Sequence, residues 1–128
     1  MSADQISEIA PAVRETLEAP EFCATFEVAG QADKWIQFHD GMLNAAYPRV
    51  EHPSAVLAAL GGGALEEWAP GVSLTVALLG TDGRTIAKWI DRYFEMVLGA
   101  SEDYGVDVRL ERVKTVGRAS NDSSASDY

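Results

Sequence analysis

The dipeptide Asp40-Gly41 constrains this chain more than any other feature. It lies within KWIQFHDGMLNAAYP, residues 34 to 48, between two strand-like runs. A two-residue type I′ turn needs positive φ at both central positions, and Asp-Gly supplies that at little steric cost. Such a turn also sets the register. Phe38 faces Leu43, Ile36 faces Ala45 and Trp35 faces Ala46. Ile36, Phe38, Leu43 and Ala45 then share one apolar face. Trp35, Gln37, His39, Met42, Asn44 and Ala46 share the other, which is mixed.

The flanking segments extend this hairpin into a domain. Residues 4 to 19 carry Ile6, Ile9, Ala10, Val13 and Leu17 at helical spacing. Pro11 predicts a kink there, or a start nearer Ser7, because it removes a backbone donor. FCATFEV, residues 22 to 28, alternates as a half-buried strand. Pro53 opens a short helix through Leu60, which Gly61, Gly62 and Gly63 stop. ALEEW, residues 64 to 68, is expected to add one helical turn. VSLTVALL, residues 72 to 79, predicts a central strand buried on both faces. Residues 84 to 98 predict the strongest helix, with Ile86, Trp89, Ile90, Tyr93 and Val97 on one stripe. Asp91 and Glu95, near Lys88 and Arg92, read as an exposed, self-paired helix face. VDVRLERV, residues 106 to 113, alternates again as a strand.

Strands run together before helices mix in. The expected fold class is α+β: a two-layer sandwich with a mainly antiparallel sheet of about five strands, and helices mostly on one face. Residues 1–114 form the single domain. Residues 115–128 are Ser/Asp-rich and predict a disordered polar tail, since they cannot bury enough apolar area to offset ordering.

Charge narrows the partners. Ten Lys and Arg stand against 20 Asp and Glu, a net charge of −10. That balance disfavours nucleic acid and anionic membranes, both of which need cations on the protein. It suits a basic protein partner. There is one cysteine, Cys23, so no internal disulfide can form. No basic, apolar leader opens the sequence and no run approaches the roughly 18 residues of a membrane span. A cytoplasmic protein is expected.

Chemistry is sparse. His39 and His52 fall in different elements, so no metal site is expected. Cys23 can face His39 across the sheet, but a small residue on a strand face is the plainer reading. Gly61–Gly63 lacks the Gly-Lys-Ser/Thr of a phosphate loop. Gly80 and Gly83 before a helix are explained by a turn and a cap. Neither a catalytic residue nor a cofactor is assigned. The candidate binding residues are Trp35, Gln37, His39, Met42 and Asn44 on the mixed hairpin face, joined by Trp68. Aromatic residues and methionine are enriched at interfaces. Cover by the N-terminal helix or the tail is the competing expectation for that face.

KWIQFHDGML, followed by a helix, an apolar strand and IAKWIDRYFEMVLGASEDYGVDV, resembles the type III secretion chaperone-like fold. The nearer likeness is to its free-standing bacterial branch, the YbjN-type domains. There an aromatic-aliphatic-Gln-Phe strand enters a tight hairpin, and a late amphipathic helix packs on the sheet. Trp35, Ile36, Gln37 and Phe38 carry that pattern here, over a likeness spanning about residues 5 to 112. It implies a two-layer sandwich, frequently a homodimer, that binds other polypeptides and performs no chemistry. FEVAG and KWIQFHDGML are also similar to the opening of sterol-carrier-type lipid-binding domains. That second likeness implies an apolar tunnel for a lipid. The leading expectation is a chaperone-like module, or an acidic inhibitor or immunity-type protein. A small apolar-ligand carrier is the alternative, its cavity lined by Phe26, Phe38, Leu74 and Trp89.

Overall fold

A computed structural model describes residues 3–78 and 81–113. The elements run α1 (Ala3–Glu18), β1 (Phe22–Val28), β2 (Gln31–His39), β3 (Met42–Ala46), α2 (Ser54–Ala59), β4 (Ala64–Ala69), β5 (Ser73–Ala77), α3 (Gly83–Met96) and β6 (Val106–Arg112). The expected tail, 115–128, lies outside the described residues.

The Asp40-Gly41 turn forms as its chemistry requires. Asp40 has φ 53° and Gly41 φ 80°. Phe38 pairs with Leu43 and Ile36 with Ala45, the register the turn dictates. Around this hairpin grows one six-stranded sheet, in the order β4-β5-β3-β2-β1-β6. Every neighbouring pair is antiparallel.

Paired residues in an antiparallel sheet share a face. One row therefore runs Val108, Phe26, Ile36, Ala45, Leu74, Trp68. The next runs Leu110, Ala24, Phe38, Leu43, Val76, Leu65. These rows form the floor of the core. Above them, α1 contributes Ile9 and Val13, and α3 contributes Ile86, Ile90, Tyr93 and Phe94, all buried. α1 also packs along α3, so the two long helices form one layer. The sandwich is thus α+β with its helices on one side, as the element order implies.

Three local expectations change. α1 runs unbroken from Ala3 through Pro11, so it does not start near Ser7. ALEEW is a strand. Its residues favour helix, yet positive φ at Gly61, Gly62 and Gly63 reverses the chain, and Pro70-Gly71 turns it against β5. Cross-strand pairing overrides the local preference. β5 is not fully buried on both faces: Leu74 and Val76 are in the core, while on the other side Ala77 is buried but Ser73 and Thr75 are partly exposed. Residue 79 lies outside the described residues.

α3 is closed at both ends by local chemistry. Asp82 caps its start, accepting the Thr85 backbone N–H at 2.8 Å. At its end Gly99 takes φ 73°, and the Ala100 N–H bonds the Phe94 carbonyl at 2.9 Å.

Candidate functional site

Because all helices lie on one side, the other face of the sheet has no helix over it among the described residues. Its rows follow from the same registers. One runs Arg109, Thr25, Gln37, Asn44, Thr75, Glu67. Beside it, His39 pairs with Met42 and Met42 with Ala77. On the other side, Trp35 pairs with Glu27 and Glu27 with Asp107.

Five of the six expected binding residues meet here. Trp35, Gln37, His39 and Met42 are half-buried and Asn44 is exposed. Three of them are held by hydrogen bonds. The Gln37 amide donates to Thr25 Oγ1 at 3.4 Å, and Thr75 Oγ1 donates to Asn44 Oδ1. His39 Nε2 lies 2.7 Å from the Pro20 carbonyl. A carbonyl only accepts, so that nitrogen carries the proton.

Trp68 does not join them. It pairs with Leu74, whose partner Ala45 points into the core, so Trp68 belongs to the helix-covered face. There its ring meets Tyr47 edge-on at 6.0 Å and His52 at 5.4 Å. Residues 64–68 favour helix by themselves, so the sequence predicts no strand parity there. Without the β4 register, no parity argument could place Trp68.

Charge is distributed unevenly over this open face. At the paired open-face positions of the four inner strands Glu27 is the single formally charged residue, and Arg109 reaches it at 3.7 Å; Asp33 and Lys34 stand near the start of β2, outside those pairs. Glu67 stands on β4 at one margin. Asp107, Arg109 and Glu111 stand on β6 at the other. A weakly charged centre inside a charged rim is the usual layout of a protein-binding surface.

Cys23 also lies on this face, one position from Ala24, which pairs with Phe38. The register sets it opposite His39. Burial, and then the nearby Glu111 charge, push its thiol pKa up. A thiol held protonated is a poor nucleophile. Among the described residues, no three His, Cys, Asp or Glu side chains gather as metal ligands.

A second concave site was not anticipated as a whole. A cleft of about 570 Å³ opens between the Gly61–Gly63 loop, the ends of β4 and β5, and α3. Leu60, Ala77, Leu78, Ile86 and Trp89 give it apolar walls, and Lys88 and Arg92 stand in its lining. Among the described residues that line it there is no carboxylate, although acids outnumber bases two to one in the chain. Trp89 holds the glycine loop, donating Nε1–H to the Gly62 carbonyl at 3.0 Å. Arg92 donates to the Ala59 carbonyl at 2.9 Å. The triple glycine and the Lys88–Arg92 pair were legible in the sequence. Their convergence was not, since it depends on β4.

Of the residues expected to line a closed lipid cavity, Phe26, Phe38 and Leu74 are packed in the core, and Trp89 alone lines this open cleft. Asp91, expected on an exposed helix face, is 2% exposed and accepts the Tyr104 hydroxyl at 2.9 Å. α3 turns Asp91 inward beside Ile90 and Phe94, so its pairing is with the loop before β6.

Among the described residues, no helix is long and apolar enough to cross a membrane. Compared with known proteins, the chain matches no family model, no curated protein and no solved structure.

Proposed function

We propose that this chain is a non-catalytic protein-binding module that docks a polypeptide on the open face of its sheet. The observation that supports this most is the uncovered face itself. It is weakly charged at the paired positions of its four inner strands, carries the partly exposed Trp35 and Met42, and is rimmed by charge. Four of the five rim and near-rim charges, Glu27, Glu67, Asp107 and Glu111, are acidic, which favours a basic partner. A chaperone-like role, or an acidic inhibitor of a basic target, fits both the surface and the resemblance carried by Trp35-Ile36-Gln37-Phe38. A cytoplasmic location belongs to this reading.

The test compares the wild-type chain with Trp35→Asp and with Val50→Asp, all immobilised and exposed to proteins of the native host. Val50 is exposed and lies away from the sheet face. Partners retained by wild type and Val50→Asp but lost from Trp35→Asp, with unchanged circular dichroism, support the reading. Equal retention by all three removes it.

The cleft favours a second reading, a carrier of a small amphipathic anion. Its volume lies in the range of small-molecule sites, and its walls combine apolar surface with two cations. Titration with decanoate and with decanol separates the head group from the chain. Binding of decanoate that weakens at least tenfold in Lys88→Glu supports the reading. Equal affinity for both ligands, or for neither, counts against it.

A further inference from the structure

The two edges of the sheet differ in how they present themselves to another strand. β4 is short and irregular. Its register shifts between Leu65 and Glu67, it carries two adjacent glutamates, and Pro70 follows it. Bulges, charge and proline are the usual means of keeping an edge from pairing. β6 has neither a bulge nor a proline, and its charged residues, Asp107, Arg109, Glu111 and Arg112, are of both signs. All seven of its residues pair with β1 in one continuous register, and among the described residues no strand pairs with its outer side.

The direction of its free hydrogen-bonding groups can be deduced. The Ala29 N–H bonds the Gly105 carbonyl at 2.8 Å, and the Val113 N–H bonds the Glu21 carbonyl at 2.6 Å. Odd-numbered residues of β6 therefore turn their backbone groups toward β1. By the alternation of antiparallel ladders, Val106, Val108, Leu110 and Arg112 turn theirs outward. Val108 and Leu110 are also 37% and 44% exposed, on the helix-covered side.

The side chains add a second constraint. Asp107, Arg109 and Glu111 alternate in sign on the open face. A second copy of β6 can pair about a twofold axis only in registers that keep like faces together, since side chains alternate with period two. Centring on Arg109 sets Arg109 against itself and Asp107 against Glu111, which repel. Centring on Leu110 sets Arg109 against Glu111, but it also sets Val108 against Arg112 and leaves Asp107 opposite Val113. Centring on Val108 sets Asp107 of each copy opposite Arg109 of the other, Val106 opposite Leu110, and Val108 opposite Val108. Opposite charges meet on one face and apolar side chains meet on the other. The Asp107–Arg109 pairs also fall at the non-hydrogen-bonded positions, where facing side chains approach most closely.

We infer that β6 is a self-complementary edge, and that two copies of this chain pair β6 to β6, centred on Val108, into a continuous twelve-stranded sheet. This inference is independent of what docks on the open face. It places the two open faces side by side on one surface.

Sedimentation equilibrium of the full chain over about 1 to 200 μM tests it. Wild type is expected to reach twice the chain mass. Asp107→Arg and Arg109→Asp are each expected to weaken self-association at least tenfold, because each juxtaposes like charges twice. Mixed in equal amounts, the two variants are expected to re-form a dimer, since every charged pair is then opposite in sign. That rescue cannot come from a folding defect in either variant. A monomeric wild type overturns the inference. So does a dimer indifferent to Asp107→Arg, or open-ended association of the kind that pairing β6 to β4 would give.

Discussion

The two faces of the sheet are built from the same strands and have opposite chemistry. On the covered face, Ala24, Phe26, Ile36, Phe38, Leu43, Ala45, Leu74 and Val76 are all buried. On the open face, alternate residues of the same strands are mostly amides, hydroxyls and small residues, with Glu27, His39, Met42 and a partly buried Trp35 among them. Hairpin parity separates a surface that holds the fold from one available to a partner. Stability and binding should therefore respond to different substitutions.

The largest effect is expected on the covered face. Phe38→Ala removes a fully buried ring from the middle of its row and should cost about 3–5 kcal/mol. A urea titration with unchanged m value reads this directly. A cost near that of an open-face substitution would collapse the distinction. Next comes Gly63→Ala, expected to cost about 2–4 kcal/mol. Gly63 has φ 116°, and an added Cβ would sit 2.7 Å from Val76 Cγ1. Thermal unfolding measures that loss. The same substitution at Gly30, with φ 78° but nothing near its Cβ, should show the backbone part alone.

Tyr104→Phe should cost about 1–3 kcal/mol, because it leaves the buried Asp91 without its hydroxyl donor. It also has a pH signature. Burial, followed by the Asp91 charge, raises the Tyr104 pKa above the ordinary tyrosine value, and burial raises that of Tyr93. A raised folded-state pKa contributes stability that is complete below the unfolded value of about 10 and is lost as pH rises from there toward the folded value. Stability should fall in the alkaline range, most steeply above about pH 10, and Tyr104→Phe should remove part of that slope, leaving the parts due to Tyr93, Tyr47 and Cys23. A stability curve flat between pH 9 and 12 would contradict this.

The smallest effect on stability is expected on the open face. Trp35→Asp should cost about 1–2 kcal/mol, since the ring packs against the core only in part and remains partly exposed. It is nevertheless the substitution expected to remove the docking partner. Loss of several kcal/mol on Trp35→Asp would mean the face is part of the core.

Much of the fold could be read from short-range chemistry. Asp40-Gly41 determines both the turn and the register of β2 with β3, because only a few residues tolerate positive φ at two successive positions. Period-two alternation marks β1 and β6, and the stripe on residues 84 to 98 marks α3. β4 was not readable, because ALEEW favours helix and becomes a strand only through its pairing with β5. That one element carried away two further conclusions: the face on which Trp68 lies, and the cleft beside the glycine loop. Asp91 was misplaced for a related reason. Helical spacing to Lys88 and Glu95 suggested an exposed ion-paired face, and its true partner, Tyr104, is 13 residues along the chain.

The amino-acid sequence alone determined the hairpin, its parity and the sidedness of the core, since these depend on φ preferences and the alternation of neighbouring side chains. Tertiary structure decided which edges remain open, where Trp68 points and which cations line the cleft. Those outcomes depend on strand order and on contacts between distant segments, and no local energy term encodes either.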